Sequence, residues 1–146
     1  LNPDALSYAH KVGRITSSLC CDINRPIPLP NNITNLIVCS EVLEHIASPI
    51  FLLNNIYRLL KVNGHLIASV PYDTAFSLWQ PLFALQCWWS GWVNKDKYYQ
   101  QKCGHVNHYS PQSFKKLLSL NFTVEELYSF HRLTIFAVAK KEEYDD

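Results

Sequence analysis

The apolar run Leu36-Ile37-Val38-Cys39 closing at Ser40 is the most strand-like stretch of the chain. From Glu41 the spacing turns helical, with Val42, Leu43 and Ile46 as the inner stripe. Pro49 opens a second helix, along which Leu52, Leu53, Ile56, Leu59 and Leu60 recur at helical spacing, and Gly64 is expected to cap it in the left-handed conformation. His65 to Val70 reads as another strand. Strand, helix and strand in this order predict an α/β domain with a parallel sheet, whose ligands sit at the carboxyl ends of the strands. Function is therefore sought at Ser40, Glu41 and the run from Val70 to Tyr72.

The flanks supply further elements. Pro3-Asp4 ahead of Ala5, Leu6, Tyr8 and Ala9 predicts a capped helix that Gly13 ends. Ser18 to Asp22 is expected to be a short buried strand, and the proline-punctuated stretch Arg25 to Asn32 a loop. Residues 73–102 form an aromatic insertion with Trp79, Trp88, Trp89 and Trp92, expected to be helical and to act as a lid, a packed pair of helices or a surface against a membrane. Ser110-Pro111 caps and opens another helix, and Phe122 to Tyr128 with Leu133 to Ala139 alternate as an antiparallel hairpin at the sheet edge. The charged tail from Lys140 is expected to be solvated.

Composition narrows the classes. A chain of 146 residues, 48% hydrophobic and 17% charged, is read as one domain, residues 1–146, able to bury a core. A net charge of +1 with scattered Lys and Arg argues against a nucleic-acid partner. Five cysteines without a CxxC pair read as free thiols of a reducing, cytoplasmic compartment. The chain starts at Leu1 and contains no Met, which reads as a piece of a longer protein.

Candidate chemistry lies near the predicted strand ends. Glu41, Glu44 and His45 stand at i, i+3 and i+4 on the expected helix, a plausible divalent-metal set, or else a capped helix with internal hydrogen bonds. Ser40 could be that helix's N-cap. His105 titrates in the range a general base needs, or it pins the insertion to the rim by hydrogen bonds. Cys103, His105 and His108 resemble part of a zinc set but lack a fourth ligand. Asp22 could simply start an Asx turn.

Taken together, Asn2-Pro3-Asp4-Ala5-Leu6, Asp22 with Leu29-Pro30, Glu41-Val42-Leu43-Glu44-His45, Arg58-Leu59-Leu60-Lys61-x-x-Gly64 and Gly104-His105-x-x-His108-Tyr109-Ser110 resemble the class I S-adenosylmethionine-dependent methyltransferases. The nearest branch is that of ubiquinone-biosynthesis and glycan or lipid-linked methyltransferases. The resemblance implies a Rossmann-like sheet, with strand order 3-2-1-4-5-7-6, and methyl transfer from S-adenosylmethionine to a small or lipid-linked acceptor at oxygen. It assigns Asp22 to the adenine amino group, Ile23 to the ring, and Ser40 and Glu41 to the methionine portion. His105 becomes the catalytic base or, with Glu41, Glu44 and His45, the holder of a metal beside the acceptor.

The family's first strand, Gly-rich turn and acidic second strand have no counterpart among the four glycines here, so the sheet is expected to be N-terminally truncated. Two consequences follow from that expectation: the Leu36 to Ser40 edge is left bare, and the isolated chain binds cofactor weakly or not at all. The rival readings are a noncatalytic interaction or membrane-surface module derived from such an enzyme, and a dehydrogenase, which needs a Gly-rich phosphate turn of its own.

Overall fold

In a computed structural model, residues 3–74, 77–100 and 105–143 are described. Four strands form one sheet in the order β1-β2-β4-β3, built from β1 (Thr34–Ser40), β2 (Leu60–Pro71), β3 (Thr123–Phe130) and β4 (Thr134–Lys140). β1 runs parallel to β2, with Leu36 opposite His65 and Ser40 opposite Ser69, while β4 is antiparallel to both β2 and β3. The expected hairpin is present, and the structure adds that its second arm fills the interior of the sheet. The turn is made by His131 and Arg132, both at positive φ, and Leu133 N–H donates to Phe130 O across it (2.8 Å).

Helix α1 (Pro3–Lys11) ends as expected, with Gly13 at φ +69° donating back to His10 O. Helix α2 (Pro49–Leu59) connects β1 to β2 and buries Leu52, Leu53, Ile56 and Leu59. The insertion is helical: α3 (Trp79–Cys87), a π turn (Trp88–Val93) and α4 (Lys97–Gln100). Helix α5 (Pro111–Leu118) carries a reciprocal cap, in which Ser110 and Ser113 each accept from the other's backbone N–H. Its Phe114 and Leu118 join Leu53, Leu60, Leu66, Val70 and Ile135 in the core.

Four expectations are corrected. Ser18 to Asp22 is not a strand, because among the described residues no neighbouring strand is there to complete its backbone bonds. The helix from Glu41 reduces to a single 3-10 turn (Leu43–His45), for Glu41 itself takes φ 53° and leaves the helical region. Gly64 is no left-handed cap: Asn63 takes the positive φ, and Gly64 is needed because an added Cβ would lie 2.8 Å from Lys61 O and 3.2 Å from Asn35 O. The tail is not wholly solvated either. Lys141 is buried, and its ammonium donates to Asn32 Oδ1, Tyr57 O and Leu60 O while lying over the Tyr57 ring.

The proline-rich loop is fastened to α2. Arg58 donates to Ile27 O, Leu29 O and Asn31 Oδ1, and Asn55 Oδ1 accepts from Ile27 N–H, which fixes the residues after Asp22 against the sheet layer. β1 forms one edge of the sheet, with Leu36 and Val38 exposed.

Candidate functional site

The parallel register places Ser40 beside Ser69, and the two hydroxyls are 2.8 Å apart. Ser69 donates its one proton to Glu41 Oε1 (2.8 Å), so Ser40 is the donor in their shared bond. Glu41 N–H in turn donates to Ser69 O. The positive φ of Glu41 thus folds the chain over the end of β2. Ser40 is not the N-cap of the turn that follows: that position belongs to Val42 and has no side-chain cap.

The 3-10 turn is the hub of the site. Val106 and Asn107 both donate backbone N–H to Glu44 O, Asn107 Nδ2 donates to Leu43 O and Ile46 O, and the Tyr109 hydroxyl donates to Leu43 O. Those bonds carry His105 and His108 to the carboxyl end of β2, where Asp73 N–H donates to Tyr109 O.

Two cavities flank this hub. One, about 480 Å³, is lined by Asp73, Gln80, His105 and His108 and by the apolar Trp79 and Phe83 of α3, with Ala84 and Cys87 beyond them. The other, about 620 Å³ and more open, lies between Cys21 to Asn24 and Ile46.

In the first cavity the His105 ring stacks on Trp79 and on Phe83, each at 5.3 Å, and meets the edge of His45 at 4.7 Å. Burial first, and the neighbouring His45 second, hold the His105 pKa below its ordinary value, which favours the neutral imidazole. Its Nδ1 is buried without a hydrogen-bond partner. Glu44 is buried with Oε2 unpartnered, and desolvation pushes its carboxyl pKa up. Ligand atoms of Glu44, His45 and His105 lie within 4.8 Å of one another. Two orphaned buried polar atoms within such a trio fit a divalent ion, though nitrogen and oxygen donors do not select one. Glu41, expected in this set, falls outside the trio, with its Oε1 held by Ser69.

Beside them, His108 Nδ1 donates to Asp73 Oδ2, which also leaves Asp73 Oδ1 to accept from Gln80 Nε2 (2.9 Å). Asp73 is buried and ends the run that follows β2. The sequence reading missed Asp73 and weighed His108 only for zinc. The available signal was the acidic residue just past a strand's carboxyl end, Val70-Pro71-Tyr72-Asp73. Cys103, the third member of that zinc idea, lies outside the described residues.

Asp22 and Ile23 line the second cavity. Asp22 Oδ1 accepts from the N–H and side chain of Asn24, an Asx turn, and these bonds hold its pKa below the usual value. Ile23 packs on the margin of the core.

A parallel pair of strands with antiparallel partners, and clefts collected at the carboxyl rim, defines the class I methyltransferase type of Rossmann-like fold. The chain belongs to the methyltransferase domain family, which matches residues 6–127. It is similar in fold to an S-adenosylmethionine-dependent methyltransferase from Aquifex aeolicus, with 15% identity and a TM-score of 0.64 over 94% of this chain and 61% of that one. It is likewise similar to a Bacillus halodurans protein provisionally described as a methyltransferase, with 15% identity and a TM-score of 0.68 over 98% and 81%. The N-methyltransferase NodS of Bradyrhizobium japonicum, solved with S-adenosylhomocysteine, aligns at 17% identity and a TM-score of 0.58 over 92% and 60%. The chain thus spans about three-fifths of the Aquifex and Bradyrhizobium proteins. No curated protein sequence matches it.

Proposed function

We propose that this domain serves an S-adenosylmethionine-dependent methyltransferase acting on a hydroxyl group of a small or lipid-linked acceptor. The observation that carries the reading is the position of the Leu43 to Ile46 turn between two cavities, with Ile46 in the wall of one and the turn's carbonyls holding His105 and His108 in the wall of the other. The Asp22 side suits the donor: Asp22 accepts from the adenine amino group, Ile23 packs on the ring, and Ser40 with Glu41 borders the methionine portion. The side under α3 suits the acceptor, with apolar Trp79 and Phe83 opposite polar Asp73 and His108.

Methyl transfer to oxygen needs the acceptor proton removed and the two reactants held in line. The Asp73 carboxylate fixes the His108 ring with Nδ1 as donor, leaving Nε2 as the proton acceptor. Of the two roles expected of His105, base or metal ligand, its place beside Glu44 and His45 favours the second. A divalent ion there would lower the pKa of the acceptor hydroxyl.

Protein expressed from its natural reading frame should be photolabelled by S-adenosylmethionine and should transfer tritiated methyl groups to a hydroxyl acceptor. Asp22→Ala should lose the labelling, and His108→Ala should slow transfer about a hundredfold with labelling retained. Absence of both labelling and transfer in the parent protein overturns the enzyme reading in favour of a noncatalytic module.

A further inference from the structure

Helix α3 is apolar on two sides. Trp79, Phe83, Ala84 and Cys87 face the cavity, whereas Leu78, Leu82, Leu85, Trp88, Trp89 and Trp92 of α3 and its flanks are 55% to 73% exposed. No residue of α3 is buried. Soluble proteins rarely leave so continuous an apolar surface to water without a use for it.

The chemistry of the outer surface favours lipid over protein. From Leu78 to Asn94 there is no charged side chain. The only polar side chains of α3 besides the Trp79 indole and the Cys87 thiol are two glutamines, each with one N–H already used: Gln80 donates to Asp73, and Gln86 donates to the Tyr99 hydroxyl (3.1 Å). A protein partner would expect about one hydrogen bond per 100–200 Å² of contact, and this surface offers few side-chain groups to make them. Tryptophan, by contrast, prefers the headgroup level of a bilayer.

Cations stand at both ends of the patch. Lys95 and Lys97 follow the π turn and are exposed, with Asp96 between them. At the other end Leu78 N–H donates to Arg132 O, which brings the exposed Arg132 of the β3–β4 turn beside the start of α3. An apolar strip between basic ends complements an anionic bilayer surface. Among the described residues no helix is long and apolar enough to cross a membrane, so the contact is one of lying on the surface.

We propose that α3 and the π turn seat in the interfacial layer of an anionic bilayer, with the Trp79 and Phe83 side of the helix turned to the cavity behind it. The docking stands independently of the enzyme reading. Its corollary does rest on that reading: the acceptor is an amphiphile whose hydroxyl lies close to its headgroup and which enters the cavity past α3.

The test is vesicle flotation without cofactor, using phosphatidylcholine alone and phosphatidylcholine mixed with phosphatidylglycerol. The protein should float with the mixed vesicles. The combined variant Trp88→Ser, Trp89→Ser and Trp92→Ser should bind at least about tenfold more weakly while still unfolding cooperatively in urea, because all three side chains are exposed. Lys95→Glu and Lys97→Glu should each weaken binding to the mixed vesicles about fivefold or more. Three results overturn the proposal: no flotation of the parent protein, equal flotation of the tryptophan variant, or a self-association lost in that variant while vesicles are ignored. Vesicle binding with no methyl transfer would leave the docking intact and remove only the corollary.

Discussion

At the scale of single residues, the site is marked by polar groups that the fold itself does not satisfy. Glu44 combines near-complete burial with an unpartnered oxygen, a combination that costs stability unless a ligand repays it. Glu44→Gln should therefore stabilise the metal-free protein at neutral pH by about 1 kcal/mol, read by urea unfolding in the presence of a chelator. The same change should weaken Mn²⁺ or Zn²⁺ binding at least about tenfold by calorimetry. A loss of stability would mean that the carboxylate is structural. Lys141 is the contrasting case: also buried, it finds three oxygen acceptors and an aromatic face, and it fastens the end of the sheet away from both cavities.

At the scale of elements, those governed by local chemistry were legible. Pro49 with its periodic leucines, the Ser110-Pro111 start, Gly13 and the alternation of the hairpin arms all report backbone preferences that act within a few residues. What was not legible depends on distant partners. Ser18 to Asp22 has strand-like residues but, among the described residues, no strand beside it, and the helix expected after Glu41 yields to a turn whose carbonyls are claimed by Val106, Asn107 and Tyr109, about sixty positions later. The pairing of Asp73 with His108 could not be read from spacing for the same reason. Gly64 was singled out correctly for the wrong cause. Since the obstacle is the Lys61 and Asn35 carbonyls, Gly64→Ala should cost about 1–3 kcal/mol in chemical denaturation, and a Cβ accommodated without loss would refute the close approach.

At the scale of the whole molecule, the sheet is unevenly covered. Leu53, Leu66, Val70, Phe114 and Ile135 make a closed core on one side, whereas β1 presents an open edge with Leu36 51% and Val38 63% exposed. Such an edge templates association. Val38→Lys should suppress concentration-dependent light scattering while changing the unfolding free energy by no more than about 0.5 kcal/mol; a larger loss would show that Val38 is part of a packed layer. The bonds around Leu43 to Ile46 have a further effect at this scale. Because one short turn lends Ile46 to the wall of one chamber, and its carbonyls tie down the segment that carries both imidazoles of the other, the separation of the two chambers is set by amide geometry. Prying one chamber wider would first have to tear Val106 and Asn107 from their shared carbonyl, and a spacing fixed in that way is what an in-line transfer between two bound molecules would need.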